Sequence, residues 1–386
     1  MDITNSEVKT TTASETKILI ILSLAHFTND GLVLLLPIML PLIAKDLNLS
    51  YIEIGILGGS ILISHGIGQF IAGYYSDKIK RKSDLVTCGL ILSSISIFLV
   101  GVSDSYFQLQ ALALLVGLTT SVYHPVGFSI LSTLFKNKGR ALGIHGASGS
   151  IGLVTFPLFA GIITEAFDWR LVFKLIPIFG LTAGLFFYAL TKNLRETKAV
   201  IITKLDMQFF TKDILAIIFV YSTSTMVAFG FTTFLPVKLA LLNYSPSMIG
   251  FYVSIFFGIG IIGQYIGGIM VDRFDLKRII SLSLIITGFL LYFFIYLLSS
   301  IDLILFLVAI GFFCAVLYPA NFVQYTNNTP PDTRGTSLGI FFGIGGFFGA
   351  FTPIIMGYVA EMIDLNTAFL FLPLICMAGV FAILKF

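Results

Sequence analysis

The chain has 386 residues, of which 57% are hydrophobic and only 11% are charged. Soluble domains carry about 25% charged residues, so a water-soluble fold of this size could not bury so much apolar surface. The formal net charge of +3 is too small to indicate a nucleic-acid partner. The composition therefore indicates an integral membrane protein. We expect it to be all-α, because its apolar runs far exceed the ~9–11 residues of a membrane β-strand.

Residues 1–16 form a polar, threonine-rich segment that lacks the basic start and short apolar core of a cleaved signal sequence. We predict that this segment is a cytoplasmic tail and that the helix after it is retained.

Runs of about 20 apolar residues, separated by charged or turn-forming clusters, predict membrane-spanning helices. The twelve predicted spans are 17–44, 51–75, 84–102, 106–134, 140–165, 169–191, 213–241, 247–271, 278–299, 302–327, 334–362 and 366–385. The longest polar stretch divides them into an N-terminal six-helix half (17–191), a cytoplasmic linker (192–212) and a C-terminal six-helix half (213–386).

Basic residues are distributed unequally between the two predicted sides of the membrane. If the N-terminus is cytoplasmic, only four of the 23 Lys and Arg residues fall on the outer side: Lys45, Arg170, Lys174 and Lys238. This asymmetry follows the positive-inside rule. We therefore expect a multi-pass protein of the plasma membrane with both termini in the cytoplasm.

The two halves repeat each other in sequence. The segment "GQFIAGYYSDK" (68–78) aligns with "GQYIGGIMVDR" (263–273) at a shift of 195 residues. The same shift places Gly55 on Gly250, Lys82 on Lys277 and Tyr123 on Tyr318, and a shift of 196 places Gly143, Pro157 and Gly161 on Gly339, Pro353 and Gly357. A duplicated six-helix unit is the parallel repeat of one transporter architecture, in which substrate binds between the halves near the bilayer midplane.

These features resemble the major facilitator superfamily over nearly the whole chain. The segment "GYYSDKIKRK" (73–82) is similar to the family's loop motif between helices two and three, and "GIMVDRFDLK" (268–277) is a second copy. Both copies depart from the motif at its inner glycine, where Lys80 and Asp275 stand. Within the superfamily, "AHFTND" (25–30) and the segment 121–152 resemble the fosmidomycin-resistance branch.

The loop motif suggests a gate. A carboxylate after one helix can accept hydrogen bonds from the backbone at a nearby helix N-terminus. In the superfamily the equivalent Asp braces the cytoplasmic side against helix eleven while the transporter faces outward. The resemblance thus implies gating residues at Asp77, Lys78, Arg81, Asp272 and Arg273. The alternative is a basic loop that only fixes the topology.

The first predicted helix contains "SLAHFTNDGLVLLL" (23–36), in which Asp30 interrupts an apolar run. Asp30 lies ~20 Å into the helix at 1.5 Å per residue, which is near mid-membrane. His26 is its i,i+4 neighbour and Asn29 shares the same face. A carboxylate at this depth costs about 2.5–3.5 kcal/mol. We therefore expect Asp30 to face a water-filled cavity or a partner and to carry protons.

All four histidines of the chain lie in the first half, at His26, His65, His124 and His145. They fall on predicted helices one, two, four and five, which supply the N-terminal wall of the cavity in the superfamily. Imidazole titrates in the physiological range. We predict that these histidines and Asp30 couple transport to protons, although a structural role for His65 and a gate role for His145 remain open.

The second half offers hydrogen-bonding side chains at near-helical spacing on predicted helix ten. We predict substrate contacts at Asn29, Tyr123, Tyr318, Asn321 and Gln324. The stretch "LQALALLVGL" (109–118) lacks the Arg that many proton-coupled exporters of this superfamily carry early in helix four.

Together these features predict a secondary transporter that exports a small organic compound in exchange for protons by alternating access. A proton-coupled importer and an uncoupled facilitator of a small metabolite remain alternatives, because coupling is reversible. We expect no enzymatic activity, cofactor or metal. HxxxH and HExxH spacings are absent, which disfavours a membrane enzyme with a histidine metal site. The expected partners are the substrate, protons and the lipid bilayer, and we expect a monomer.

Overall fold

The computed structural model describes residues 12–135, 138–192, 211–271, 273–296, 300–327, 329 and 334–385. The predicted linker and N-terminal tail therefore lie mostly outside the described residues. Over the described residues the regular elements are the helices α1 (Thr12–Leu47), α2 (Tyr51–Lys78), α3 (Lys82–Val100), α4 (Tyr106–Thr120), α5 (Tyr123–Leu134), α6 (Lys138–Ala166), α7 (Trp169–Thr191), α8 (Lys212–Leu241), α9 (Pro246–Val271), α10 (Leu276–Phe294), α11 (Ser300–Asn327), α12 (Arg334–Met362), α13 (Leu365–Phe369) and α14 (Phe371–Lys385).

These helices form membrane spans as the sequence predicts. Among the described residues, twelve segments are long and apolar enough to cross a bilayer. The predicted all-α fold with twelve spans is therefore confirmed. Because the number of spans is even, α1 begins and α14 ends at the same face of the bundle, which we call the termini face. The other is the opposite face.

Two predicted spans are interrupted where a proline follows. The fourth span, predicted as one helix over 106–134, breaks after Thr120 into α4 and α5, and Pro125 stands in the first turn of α5. A proline lacks a backbone N–H and its ring collides with the carbonyl four residues earlier, here that of Ser121. The last span breaks in the same way at Leu370, three residues before Pro373.

The two halves, α1–α7 and α8–α14, meet along two crossed helix pairs, α2 with α12 and α6 with α9. In the first pair, a Cβ at Gly55 would collide with the carbonyl oxygen of Pro353. In the second, a Cβ at Gly250 would collide with the carbonyl oxygen of Pro157. Small residues allow backbones to approach this closely. The sequence repeat is thus matched by a repeat of contacts.

The two helix pairs differ near the termini face. A Cβ on Gly339 of α12 would lie 3.2 Å from the Cα of Gly73 in α2, so the backbones touch there. The repeat-related glycines Gly143 and Gly268 have no described atom within 4 Å of a Cβ. The α2–α12 pair is therefore closed at both faces, whereas α6 and α9 separate toward the termini face.

This difference predicts opposite effects of one substitution at two glycines of α9. Gly250→Ala should destabilise the protein by roughly 1–3 kcal/mol, the usual cost of overpacking. Gly268→Ala is the matched control, and it should be neutral or raise stability by about 0.5–1 kcal/mol through helix propensity. Thermal unfolding in detergent measures both. Equal effects would contradict the close α6–α9 crossing.

Candidate functional site

A partly buried carboxylate of the N-terminal half is held between two imidazoles. His26 Nε2 lies 3.1 Å from Asp30 Oδ2, and His124 Nε2 lies 3.3 Å from Asp30 Oδ1. His26 is one turn away on α1, whereas His124 is brought in because α5 begins beside it. Gly149 of α6 makes room, since a Cβ there would lie 2.5 Å from His26 Cε1 and 2.7 Å from Asp30 Oδ2.

The hydrogen-bond partners define where protons can sit. His26 Nδ1 lies 2.7 Å from the backbone carbonyl oxygen of His145. A carbonyl can only accept, so Nδ1 carries a hydrogen. The contact between His26 Nε2 and Asp30 Oδ2 then contains one proton. Either the imidazole holds it, as an ion pair, or the carboxyl group does.

His145 and Tyr123 extend this cluster. The His26 and His145 rings stack with centroids 4.2 Å apart. The Tyr123 hydroxyl donates to the Leu22 carbonyl at 2.5 Å, and its oxygen lies 2.8 Å from His145 Nε2. Because the hydroxyl has a single hydrogen, His145 Nε2 must donate to it. His145 is thus anchored to α1 through Tyr123.

His65 lies beside the cluster in a separate chain of hydrogen bonds. The Gln69 amide nitrogen lies 3.0 Å from His65 Nε2, and His65 Nδ1 lies 3.2 Å from Thr120 Oγ1. Thr120 in turn donates to the Val116 carbonyl at 2.7 Å. Both ring nitrogens are therefore occupied. The ring centroid lies 6.3 Å from that of His124, and a proton-carrying role for His65 stays a prediction.

Aromatic residues from both halves cover the cluster on its side toward the termini face. The His124 ring packs on Phe128 at 6.2 Å and on Phe342 of α12 at 5.7 Å. Phe128 also packs on Phe322 of α11 at 5.3 Å. The cluster thus lies where the N-terminal half touches the C-terminal half.

The sequence predicts no metal, but one group of side chains in the described residues could hold a metal ion. The donor atoms of His26, Asp30 and His124 all lie within 4.8 Å of one another, and two imidazoles with a carboxylate are a set that zinc accepts. These are the residues that could hold a metal ion. The same contacts also fit direct hydrogen bonds between imidazole and carboxylate.

The predicted substrate residues separate into two groups. The Asn29 amide lies 3.4 Å from Asp30 Oδ1, and Tyr123 belongs to the cluster. Tyr318 packs against a hydrophobic cluster of the C-terminal half that Phe128 also borders. Asn321 and Gln324 lie elsewhere, because they line a cavity inside the C-terminal half.

Asp77 lies at the termini face between the halves. Its carboxylate accepts hydrogen bonds from the backbone N–H of Gly335 at 3.1 Å and of Thr336 at 2.7 Å, and from the Thr336 hydroxyl at 2.8 Å. These groups are the first turn of α12, so a carboxylate of one half caps a helix of the other. Lys82 Nζ lies 3.6 Å from Asp77 Oδ1.

The other predicted gating residues make different contacts. Lys78 contacts Tyr74 in its own helix, and Arg81 pairs with Asp84 at 2.8 Å. Arg273 is exposed. Asp272 lies outside the described residues.

At the opposite face, two glutamates that the sequence reading missed connect the halves. Glu165 of α6 accepts from the Ser245 hydroxyl and from the Ser247 backbone N–H of α9, both at 3.0 Å. Glu361 of α12 accepts from the Tyr51 backbone N–H of α2 at 2.8 Å. The shift of 196 that relates Gly161 to Gly357 also relates these two glutamates, so the repeat contained the signal.

Several known proteins are similar to this chain. The chain is 24% identical over 381 residues to the fosmidomycin resistance protein of Escherichia coli, covering 93% of this chain and 91% of that protein. It is 22% identical over 360 residues to the cis,cis-muconate transport protein of Acinetobacter baylyi, covering 88% and 86%. The crystal structure of a bacterial homolog of the human lysosomal transporter Spinster, inward-facing and occupied, superposes with a TM-score of 0.79 at 14% identity and 97% coverage of both chains.

The sequence profile of the Major Facilitator Superfamily matches residues 19–241 and 214–386, so its two matches together span nearly all of the chain. The superfamily resemblance of the loop motifs and the similarity of this chain to the fosmidomycin resistance protein are thereby confirmed. The chain is a multi-pass membrane transporter that belongs to the Major Facilitator Superfamily.

Proposed function

We propose that the protein exports a small organic compound in exchange for protons, with Asp30 and His26 as the proton site. The observation that carries this proposal is the 3.1 Å contact between His26 Nε2 and Asp30 Oδ2, which can be shared through a single proton. The donor Nδ1 is already used by the His145 carbonyl. A change in protonation of this pair therefore changes the net charge of the cluster by one unit.

His124 would link the proton site to substrate. Its Nε2 contacts Asp30 on one side, and its ring packs on aromatic residues of both halves on the other. A substrate between the halves would meet this imidazole before it meets the buried carboxylate. Asn29 and Tyr123 border the same pair, so we retain them as candidate substrate contacts.

Export is favoured over import by the relatives. A resistance protein is among them, and resistance is the phenotype that removal of a toxic compound produces. The muconate transport protein indicates that organic anions are also transported by similar chains. Import of such a compound, with or without protons, is therefore the alternative. We propose a monomer without enzymatic activity, with the termini face in the cytoplasm.

Alternating access would use carboxylates at both faces as latches. Asp77 caps α12 at the termini face, and Glu165 and Glu361 cap α9 and α2 at the opposite face. Each of these hydrogen bonds runs from a backbone N–H group of one half to a carboxylate of the other half. The bonds can break and re-form as the halves rock, without any rearrangement inside either half.

Asp30→Asn should abolish substrate-dependent proton movement, because an amide cannot exchange a proton with His26. Purified protein in liposomes with a pH-sensitive dye, supplied with fosmidomycin, cis,cis-muconate and cationic drugs, measures this. We expect proton flux to fall to the level of protein-free vesicles while substrate exchange between the two sides persists. Asp46→Asn is the control, since this exposed carboxylate of α1 pairs with Arg170 at 2.6 Å, far from the cluster.

Three results would contradict this assignment. Substrate flux without proton movement, unchanged in Asp30→Asn, would make the protein a facilitator. Loss of both binding and exchange in that variant would make Asp30 a binding or structural residue. Zinc that copurifies in equal amount with the wild type and is lost in Asp30→Asn would assign the cluster to a metal.

Replacing both Glu165 and Glu361 by Ala should open the opposite face. The variant loses three hydrogen bonds between the halves, each worth about 0.5–1.5 kcal/mol, so the open fraction should rise about tenfold or more. Spin labels at Val102 and Leu242, which are 48% and 52% exposed, report the distance between the halves at this face. The exposed Cys88 should be replaced by Ser first.

Glu53→Ala provides the matched control for the latch experiment. Glu53 also accepts hydrogen bonds at the opposite face, but only from Ser50 in its own half, at 2.9 and 3.0 Å. Its loss should leave the label distance unchanged. If the double variant behaves like Glu53→Ala, the two glutamates do not hold the face closed.

A further inference from the structure

A cavity of about 50 Å³ lies inside the C-terminal half, away from the histidine cluster. It opens near the termini face between α8, α10, α11 and α14. The exposed Asp213 and Lys277 border it, Asn321 and Gln324 supply amide groups, and side chains such as Val220 and Ile280 form an apolar wall.

Asn321 is the unusual residue of this cavity. Its side chain is 1% exposed, and neither the amide oxygen nor the amide nitrogen has a hydrogen-bond partner among the described residues. Buried polar groups are nearly always hydrogen-bonded, and the cost of leaving one unpaired is high in an apolar interior. The amide therefore requires a partner that can both donate and accept.

The repeat-related position in the N-terminal half is filled by an apolar side chain. The shift of 195 relates Asn321 to Val126, which is 0% exposed within a packed apolar cluster. It also relates Lys277 to Lys82 and Gln324 to Ser129, and Lys82 Nζ donates to Ser129 Oγ at 2.7 Å. One half thus fills this position with an apolar side chain, whereas the other keeps a cavity and a buried amide.

The groups around the cavity specify its ligand. The Asn321 oxygen can accept from an ammonium while its nitrogen donates to an anionic oxygen. At the mouth, the negative charge of Asp213 would attract the ammonium and the positive charge of Lys277 would attract the anionic oxygen. We propose that this cavity binds the head of a compact zwitterion, a primary ammonium and an anionic oxygen a few bonds apart. Such a group is present in the headgroup of phosphatidylethanolamine and in free ethanolamine phosphate.

The hydrogen-bonding groups of the cavity discriminate between cations. A primary ammonium can donate a hydrogen bond to the Asn321 amide oxygen. A trimethylammonium group is larger and has no N–H, so choline compounds should be rejected. Ethanolamine and choline compounds carry the same phosphate, so comparing them separates recognition of the whole zwitterion from simple attraction of a phosphate.

The test measures ligand-induced stabilisation of the full chain with Asn321→Val as the key variant. Val stands at the repeat-related position 126, so the substitution should fold. Thermal unfolding in detergent is followed as ethanolamine phosphate or phosphocholine is added. The lipid source is tested in nanodiscs of phosphatidylethanolamine or phosphatidylcholine. A second variant, Lys277→Gln, removes a charge at the exposed mouth and leaves the buried wall intact.

We expect the wild type to be stabilised by the ethanolamine form and not by the choline form, with an affinity about tenfold weaker in both variants. A response to free ethanolamine phosphate identifies a soluble ligand, and a response only in nanodiscs identifies the lipid. Equal shifts for ethanolamine and choline, equal shifts for wild type and Asn321→Val, or no shift with any probe would overturn the proposal and leave water as the occupant.

Discussion

The structure depends on the pairing of one carboxylate in a medium that cannot solvate it. Asp30 lies within a membrane span and its side chain is 13% exposed, so a negative charge on it would have to be balanced by the protein. Two imidazoles do this, and each needs a particular backbone arrangement. His26 is available because α1 is regular, whereas His124 is available because the fourth span breaks and restarts as α5. The break that weakens a helix thus supplies the second partner of the carboxylate.

The interface between the halves follows from the same shortage of water. Glycine contacts let α2 and α12, and α6 and α9, pack backbone against backbone, which requires few polar groups within the bilayer. The carboxylate contacts between the halves lie at the two faces, where they reach helix N-termini. In the present arrangement the opposite face is closed on both sides. At the termini face the α2–α12 pair is closed, while the glycines Gly143 and Gly268 have no described neighbours.

Sequence patterns predict this fold well, but they predict poorly which neighbours a single helical residue faces. The spans and the repeat follow from hydropathy and from matched glycines, and the i,i+4 spacing of His26 and Asp30 predicts their contact. The three polar residues on α11 show the limit. Tyr318, Asn321 and Gln324 are spaced by three, and each step of three residues falls short of a full turn by about 60°. Across two steps the direction changes by about 120°, so Tyr318 packs against the hydrophobic cluster that Phe128 borders while Gln324 faces α8 and α10. A proline such as Pro125 can either kink a helix or end it, and only tertiary packing decides between the two.

The helix α6 connects the histidine cluster to the interface between the halves. Near its start, His145 offers the carbonyl that fixes the hydrogen on His26, and Gly149 makes room for the pair of side chains. Five residues farther on, the Val154 carbonyl accepts from Ser254 of α9 at 2.6 Å, and near its end Glu165 accepts from the Ser247 backbone N–H. A displacement of α6 would therefore alter the geometry around the His26–Asp30 pair and the contacts with the other half together. Pro157 lies within α6 between Val154 and Glu165, so the histidine cluster and the opposite face share one continuous helix that a proline can bend.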